Sequence, residues 1–490
     1  MVREGISRRH FFFGALLAGA VPAGGFGSAP SLRQLGYKSP NEKLNIAAIG
    51  AGGRASSNIA GCATENIVAF ADPDETRAAP SYQKYDKAAR YRDFRRMLDK
   101  EANNIDAVIV ATPDHTHTVA ALWCMERGKH VYVEKPLAHT IWEARLLTEA
   151  AAKYKVATQM GNQGYSNDGT RIACEIIWSG EIGNVTELHA WTDRPIWPQG
   201  IATLPPEEKV PETLDWDVWL GPATMRPYSS AYLPFNWRGW FDFGTGAPGD
   251  GMCHSLGAAN MALMLGAPTS VEVVRQEGKN PYTFPKKSEI HFQFPARKSM
   301  PPVKIIWTDG ATAPVYLPPG IPESEPLFGG PGAFGTPWPG ADPGGFSSGA
   351  RPAAAQPQGA SGGTRYGAPT FPTGCIFVGE KGFLTTNSYA AHVRLLPESR
   401  HKAYNLPPQF LTRSPGHYRD WIRACKGGTP ASSNFAVSGP FTEWTLLGAI
   451  AVRFEGKLEW DSANMKFTNI AAANEYIKPK IRKGWEMRIA

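Results

Sequence analysis

Leu44-Asn45-Ile46-Ala47-Ala48-Ile49-Gly50-Ala51-Gly52-Gly53-Arg54-Ala55 reads as a buried strand running into a glycine-rich turn and then a helix. The spacing of Gly50, Gly52 and Ala55 is the G-x-G-x-x-[GA] pattern of a dinucleotide crevice. Gly50 permits the tight turn, Gly52 lets the backbone approach a pyrophosphate, and Ala55 allows close helix–strand packing. Gly53 and Arg54 complete that turn, and the helix behind it points its N-terminus at the phosphates. A glycine-rich turn alone is common, so the context decides. The next strand, Ile67 to Ala71, ends in Asp72. A carboxylate about twenty residues after the turn is expected to hydrogen-bond the adenosine ribose and to repel a 2′-phosphate, favouring NAD over NADP.

Working outward, Ile105 to Val110 is another buried strand, followed by the turn Ala111-Thr112-Pro113-Asp114-His115-Thr116-His117, a helix from Val119 to Arg127 and a Gly128 cap. Val131-Tyr132-Val133-Glu134-Lys135-Pro136 closes the next strand, because proline cannot donate to a ladder. Lys135 is thereby held at a strand's carboxyl end, where open α/β sheets bind ligands. On those six residues alone, a surface lysine is the simpler reading. A helix from Ile141 to Tyr154 and a strand from Val156 to Met160 complete the first unit.

At 490 residues the chain is too long for one core, and two domains are expected. The net charge of +7 is small, and the basic cluster Lys478, Lys480, Arg482, Lys483 and Arg488 reads as a solvated tail, not a nucleic-acid footprint. Cys62, Cys124, Cys174, Cys253, Cys375 and Cys425 lack CxxC or metal-ligand spacing and read as isolated buried thiols. Near the start, Ser7-Arg8-Arg9-His10-Phe11-Phe12 precedes an apolar run to Val21 that is too short for an ordinary membrane span. Paired arginines there are similar to a twin-arginine signal. They predict export through the Tat machinery to the periplasm, with residues 1–42 as signal and linker and no stable membrane span unless the signal is uncleaved. An exported enzyme has no free nicotinamide pool, so it would hold its cofactor tightly.

The fingerprint, the Thr112-to-His117 turn and Glu134-Lys135-Pro136 together resemble the Gfo/Idh/MocA oxidoreductases, and the resemblance continues through Gln159-Met160-Gly161-Asn162-Gln163-Gly164 towards the C-terminus. It implies an N-terminal Rossmann domain, here 43–162. A C-terminal α/β domain with an open, mostly antiparallel sheet follows, here 163–490, often making the contacts of a homo-oligomer. It also implies a sugar or cyclitol substrate. Thr112, Pro113, His117, Glu134 and Gln163 would join the fingerprint around NAD, and the crossover at Asn162 and Tyr165 would lie near nicotinamide and substrate. In the second domain, Arg194 and Trp197 combine charge with aromatic faces beside a strand end, and Trp237 repeats the combination; these are expected at a sugar pocket. Asp250 and His254 stand four apart on a helix expected to run from Gly249 to about Leu265, so both face one side. Asp250 as an N-cap and His254 as a core histidine are the structural alternatives. The Asp-x-x-x-His spacing matches the family's catalytic pair, whereas Gly257 stands where an acidic residue commonly follows. A Gly/Pro/Ala/Ser-rich insertion is expected over 311–372.

The expected chemistry transfers a hydride between a carbohydrate hydroxyl and the nicotinamide. His254 is expected as the principal acid/base, with Asp250 orienting it and Lys135 hydrogen-bonding the reacting oxygen. Lys135, its pKa lowered by burial and a cationic nicotinamide, is the alternative proton acceptor, since members of the family differ on which of the two takes the proton. Two other readings share the fold: a redox-neutral enzyme that cleaves a glycosidic bond or epimerises a centre, and a sugar-binding protein without turnover. His115 with His117, and Cys253 with His254, fall short of the ligand set that zinc needs.

Overall fold

The computed structural model describes residues 42–329, 332–337 and 373–489. The export signal and residues 338–372 of the insertion lie outside the described residues.

Strands β1 (Asn45–Ile49), β2 (Asn66–Ala71), β3 (Ala89–Tyr91), β4 (Ala107–Val110), β5 (His130–Val133) and β6 (Thr158–Met160) form a parallel sheet in the order β3-β2-β1-β4-β5-β6. The order reverses between β1 and β4, so a crevice opens at their carboxyl ends. Ile46, Ala47, Ala48, Val108, Ile109, Val131, Tyr132 and Val133 are all buried. Continuous apolar runs of this kind are what a parallel sheet covered on both faces requires.

The second sheet comprises β7 (Val185–Trp191), β8 (Ser270–Glu277), β9 (Lys287–Phe294), β10 (Val303–Asp309), β11 (Gly374–Gly379), β12 (Gly382–Asn387), β13 (Val393–Leu396), β14 (Lys457–Asp461) and β15 (Lys466–Phe467). Its order is β13-β12-β11-β7-β10-β9-β8-β14-β15. Among the described residues only the β7–β10 pair is parallel. Ser288, Ile290, Phe292 and Phe294 of β9 are buried while the residues between them are not, the period-two signature of a sheet packed on one face. Among the described residues no helix is long and apolar enough to cross a membrane. All six cysteines are buried and free.

Several local expectations shift. The Thr-Pro-x-x-x-His stretch is not a free turn: Pro113 caps a helix over Asp114–Glu126, which starts five residues before the expected Val119. Proline's fixed φ and the acidic Asp114 in the first turn both favour that start. The expected helix from Gly249 to Leu265 is two helices, Gly246–Ser255 and Gly257–Ala262, broken at Leu256. Asp250 therefore lies inside a helix and is not its N-cap.

The chain also returns to its first sheet late. Tyr418, Trp421, Ile422 and Cys425 of the helix His417–Cys425 pack in one core with Leu44, Ile46, Phe70 and Tyr132. The helix Phe435–Ala451 packs on the helix Ile141–Tyr154. The basic C-terminal stretch is not a free tail. Ile477, Trp485 and Met487 are buried, the Arg95 guanidinium lies 4.0 Å over the Trp485 ring, and Arg482 pairs with Asp217. Only Lys478, Lys480, Lys483 and Arg488 keep the solvated character expected of the run. The described parts of the insertion, 311–329 and 332–337, have no helix or strand but are seated on the second sheet. Ile321 and Leu327 pack with Trp191, Ile376 and Leu396, and Tyr316 stacks on His189 at 3.6 Å.

Candidate active site

The glycine turn fits a dinucleotide on its own geometry. Gly50 has φ +86°, and a Cβ there would come within 2.7 Å of the Ala111 carbonyl oxygen. Gly53 has φ +58°, and a Cβ on Gly52 would meet the Arg77 carbonyl oxygen at 2.4 Å. Only glycine gives this turn both its conformation and its close backbone approach. Ala55 is fully buried behind it. Asp72, at the end of β2, is held towards the same turn: its carboxylate accepts from Ala51 N at 2.8 Å and from Asp74 N at 2.9 Å. Burial pushes its pKa up to about 6. A carboxylate has about four acceptor positions, so both oxygens keep capacity for ribose hydroxyls. These residues, with the amides of Gly52 to Ala55, are the ones that would hold the nucleotide.

Glu134 ties this turn to β5. Its Oε1 accepts from Arg54 Nε at 3.1 Å and Asn58 Nδ2 at 2.9 Å, and its Oε2 from Lys135 N at 3.1 Å. Gly161 makes room for it, since a Cβ there would fall 2.8 Å from the carboxylate. The Thr112 hydroxyl donates to the Pro113 carbonyl at 3.3 Å. His117 does not offer a ring nitrogen to a cofactor: Nδ1 lies 2.8 Å from Pro136 O and Nε2 2.9 Å from Thr112 O. Burial holds it at about 4, so it is a neutral clamp between the two turns that frame the crevice. His115 is spent likewise on the carbonyls of Phe243 and Trp219, at 3.2 and 3.1 Å. Among the described residues no cluster of three metal-ligating side chains forms.

A segment beyond the first domain crosses the mouth of the crevice. Asp215 N donates to Pro73 O at 2.8 Å, Glu75 N donates to Thr213 O at 3.0 Å, and Asp74 and Leu214 form a β-bridge. A few residues on, Trp219 O reaches His115, and a Cβ on Gly221 would strike the Thr116 methyl at 2.8 Å. Residues 213–221 thus join the carboxyl ends of β2 and β4. Behind this strap Trp216, Trp219, Tyr228, Tyr232, Trp240 and Phe243 make a separate aromatic core.

At the other end of the crevice the charged groups converge. Lys135 Nζ lies 2.7 Å from Asp250 Oδ1, and Arg238 Nε reaches the same oxygen at 3.4 Å. The Asp250 carboxylate is held down at about 2: burial opposes its charge, and Lys135 and then Arg238 outweigh the burial. Two expectations are corrected here. Lys135 is raised, not lowered: burial opposes its charge, but Asp250, with Cys253 and Tyr389 behind it, outweighs the burial. Asp250 does not orient His254, since its carboxylate is taken by the two cations. His254 instead has its ring 4.4 Å from that of Tyr389 and a buried Nδ1 without a hydrogen-bond partner. Burial, then the charge of Lys135, keeps it well below the ordinary histidine value, so the ring is neutral near pH 7. Asp114 lies close by, accepting from Thr245 N and Oγ1 at 3.1 and 2.9 Å. Burial, and then the Asp250 charge, pushes it up to about 7.

The expected sugar-pocket residues divide. Arg194 is partly exposed beside Asp193 at 3.8 Å, and its charge reaches His254. Trp197 and Trp237 are buried; Trp197 donates to Gln199 Oε1 at 2.8 Å, and Trp237 carries the Arg238 guanidinium at 4.3 Å. Asn162 is fully buried, with its Nδ2 unpartnered. Gln163 Nε2 donates to Tyr132 Oη at 3.4 Å. Tyr165 is not a substrate contact: it is 2% exposed, and its hydroxyl accepts from Asn260 at 2.8 Å. Its ring also explains Gly257, where a Cβ would approach Tyr165 to 3.1 Å. Asp114 and Tyr389 carry no role in the sequence reading, and Arg238 enters it only as the charge beside Trp237. Arg238 lies between the tryptophans Trp237 and Trp240, a usable signal; the turn holding Tyr389 offers none.

Residues 44–162 match the Gfo/Idh/MocA oxidoreductase family's NAD-binding Rossmann fold, and residues 181–282 match its C-terminal α/β domain. A glycosyl hydrolase family 109 protein of Solibacter usitatus is 30% identical over 199 residues, 37% of this chain and 44% of the relative. Inositol 2-dehydrogenase 1 of Saccharopolyspora erythraea is 32% identical over 131 residues, 26% of this chain and 38% of the relative. The chain thus spans less than half the length of either. The WlbA dehydrogenase of Bordetella pertussis, solved with NADH and UDP-GlcNAcA, superposes with a TM-score of 0.54 at 14% identity, over 86% of this chain and 99% of that one, a likeness of fold. The two family matches support the Gfo/Idh/MocA oxidoreductases, and the first makes residues 44–162 an NAD-binding domain.

Proposed function

We propose that this chain, an oxidoreductase of the Gfo/Idh/MocA type, interconverts a hydroxyl and a carbonyl of a sugar or cyclitol. The observation that carries the reading is the meeting, at the end of β5, of a lysine ammonium with a neutral histidine whose Nδ1 has no partner. When bound, the nicotinamide supplies the hydride acceptor. Lys135, kept charged by Asp250, donates a hydrogen bond to the reacting oxygen and stabilises the negative charge that grows there. His254 Nδ1 takes the hydroxyl proton as the C–O bond becomes C=O. Arg194, partly exposed and near His254, would face the sugar. The inositol dehydrogenase relative supports a polyol substrate.

A second reading returns the hydride within the same turnover, so that a glycosidic bond is cleaved or a centre epimerised with no net change in the cofactor. The strap across the crevice favours it, because the strap opposes nucleotide exchange, and the glycosyl hydrolase family 109 relative agrees with it. Denaturing the purified protein and identifying the released nucleotide tests the common premise. Incubation with inositols, free sugars and glycosides then separates the readings: 340 nm absorbance with keto-product for the first, cleavage without it for the second. Absence of bound nicotinamide, and no binding on titration, would overturn both. Arg8 and Arg9 support export to the periplasm by the Tat route, which fractionation of an Arg8→Lys/Arg9→Lys variant tests. Self-association, suggested by the family resemblance, is tested by light scattering.

A further inference from the structure

We propose that Arg238 is a positioning residue of this site, taking one side of the Asp250 carboxylate and so setting how firmly Lys135 holds its proton. The proposal rests on the reading of Lys135 as the donor to the reacting oxygen. Arg238 reaches Asp250 Oδ1 at 3.4 Å, the oxygen that also pairs with Lys135 at 2.7 Å. Two cations on one carboxylate oxygen repel each other through it. Each has a weaker claim on that charge than it would have alone.

Arg238 is built into place and does not drift there. Its guanidinium carbon lies 4.3 Å from the ring centroids of both Phe235 and Trp237, and Nη1 donates to Phe235 O at 3.3 Å. A Cβ on Gly244 would approach the Arg238 carbonyl oxygen to 2.6 Å. The backbone of Arg238 is therefore pressed against the residue that leads into Thr245 and the Asp250 helix. Two aromatic faces stabilise the cation, and the strap's own core supplies Trp237. The aromatic core behind the strap thus also helps hold a charge at the reactive end.

The other charged neighbours cannot play this part. Arg54 is committed to Glu134 at 3.1 Å, and Arg194 faces Asp193 at 3.8 Å. His254, on Asp250's own helix, is neutral near pH 7. Asp114, from the N-terminus of the helix Asp114–Glu126, faces Asp250 with a charge of the same sign, and the buried Cys253 and half-buried Tyr389 have pKa values above their ordinary ranges. Arg238 is the permanent cation, besides Lys135, that contacts Asp250 among the described residues.

The test titrates Lys135 directly in the full-length protein with its nucleotide bound. Lysine is labelled with ¹³C at Cε, and the Lys135 signal is assigned by its loss in Lys135→Arg. Arg238→Met is expected to move the Lys135 midpoint up by one pH unit or more. Arg238→Lys, which keeps the charge on a different frame, should recover at least half of the shift. The alkaline limb of kcat/KM should move with the midpoint in each variant. A Lys135 midpoint unchanged in Arg238→Met, with activity lost or kept, would overturn the proposal and leave Arg238 as aromatic packing. If Arg238→Met does not fold, Arg238→Gln takes its place, with the same shift expected and the same null result decisive. A Lys135 that shows no titration linked to activity in the wild-type protein would instead count against the catalytic reading on which this one rests.

Discussion

The two ends of the crevice are built on opposite principles. At the β2 end, backbone satisfies backbone: Glu75 and Asp215 bond across to Thr213 and Pro73, and Asp72 is held by the amides of Ala51 and Asp74. At the β5 end, side chains are left in tension. Two cations share Asp250, Asp114 is pushed up to about 7, and His254 Nδ1 has no partner. Holding a molecule calls for satisfied groups that do not change during turnover. Moving a proton calls for groups whose charge states are close to changing.

If that division is right, each end can be broken without the other. Lys135→Met and His254→Ala should each lower kcat/KM by roughly a thousandfold, while nucleotide content after purification stays at the wild-type level. Loss of nucleotide in either variant would dissolve the distinction. Gly50→Val should do the converse. With φ +86° and the Ala111 carbonyl 2.7 Å from a Cβ, the turn cannot form unstrained, and bound nucleotide should fall by about tenfold or more. Asp72→Ala should weaken NAD by about tenfold and narrow the preference over NADP.

Asp114 stands where the ends meet and gives a test in stability. Its folded pKa, about 7, lies above the unfolded carboxyl value, so between these the folded state binds the extra proton. Stability from this residue therefore falls as pH rises through that window. Asp114→Asn lacks that slope, and its advantage over wild type should grow by about 2 kcal/mol between pH 5 and 7, measured by denaturant unfolding. Tyr165→Phe is the smallest change. It loses the bond from Asn260 and should cost about 1 kcal/mol of stability, with KM unaltered; a raised KM would return Tyr165 to the substrate.

Much of this was legible in the sequence because it is local. The strand–turn–helix at Ile46 to Ala55 and the strand ending at Glu134-Lys135 announce themselves by period and by glycine and proline chemistry. The helix Ile141–Tyr154 has the bounds that periodicity predicts. Asp250 and His254 were found by helical spacing, but spacing says only that they share a face. Which partner Asp250 takes depends on Arg238, twelve residues earlier in an aperiodic stretch, and on Lys135 in the other sheet. Tyr165 illustrates the same limit, since nothing near it in sequence reveals that Asn260 and Gly257 enclose it.

The late return of the helix His417–Cys425 to the first sheet has a consequence for recombination. Trp421 fills the core beside Phe70, His417 Nε2 lies 3.1 Å from Tyr132 Oη, and Tyr418 Oη donates to Asn58 at 2.8 Å. Inheritance of the nucleotide crevice is therefore discontinuous. A chimera with a relative joined at 162/163 would graft a sheet without the helix that seals it, exposing the apolar face around Phe70. Exchanging 43–162 together with the helices His417–Cys425 and Phe435–Ala451 moves the interlocking parts as one, and crossovers outside those helices are the ones expected to yield soluble hybrids.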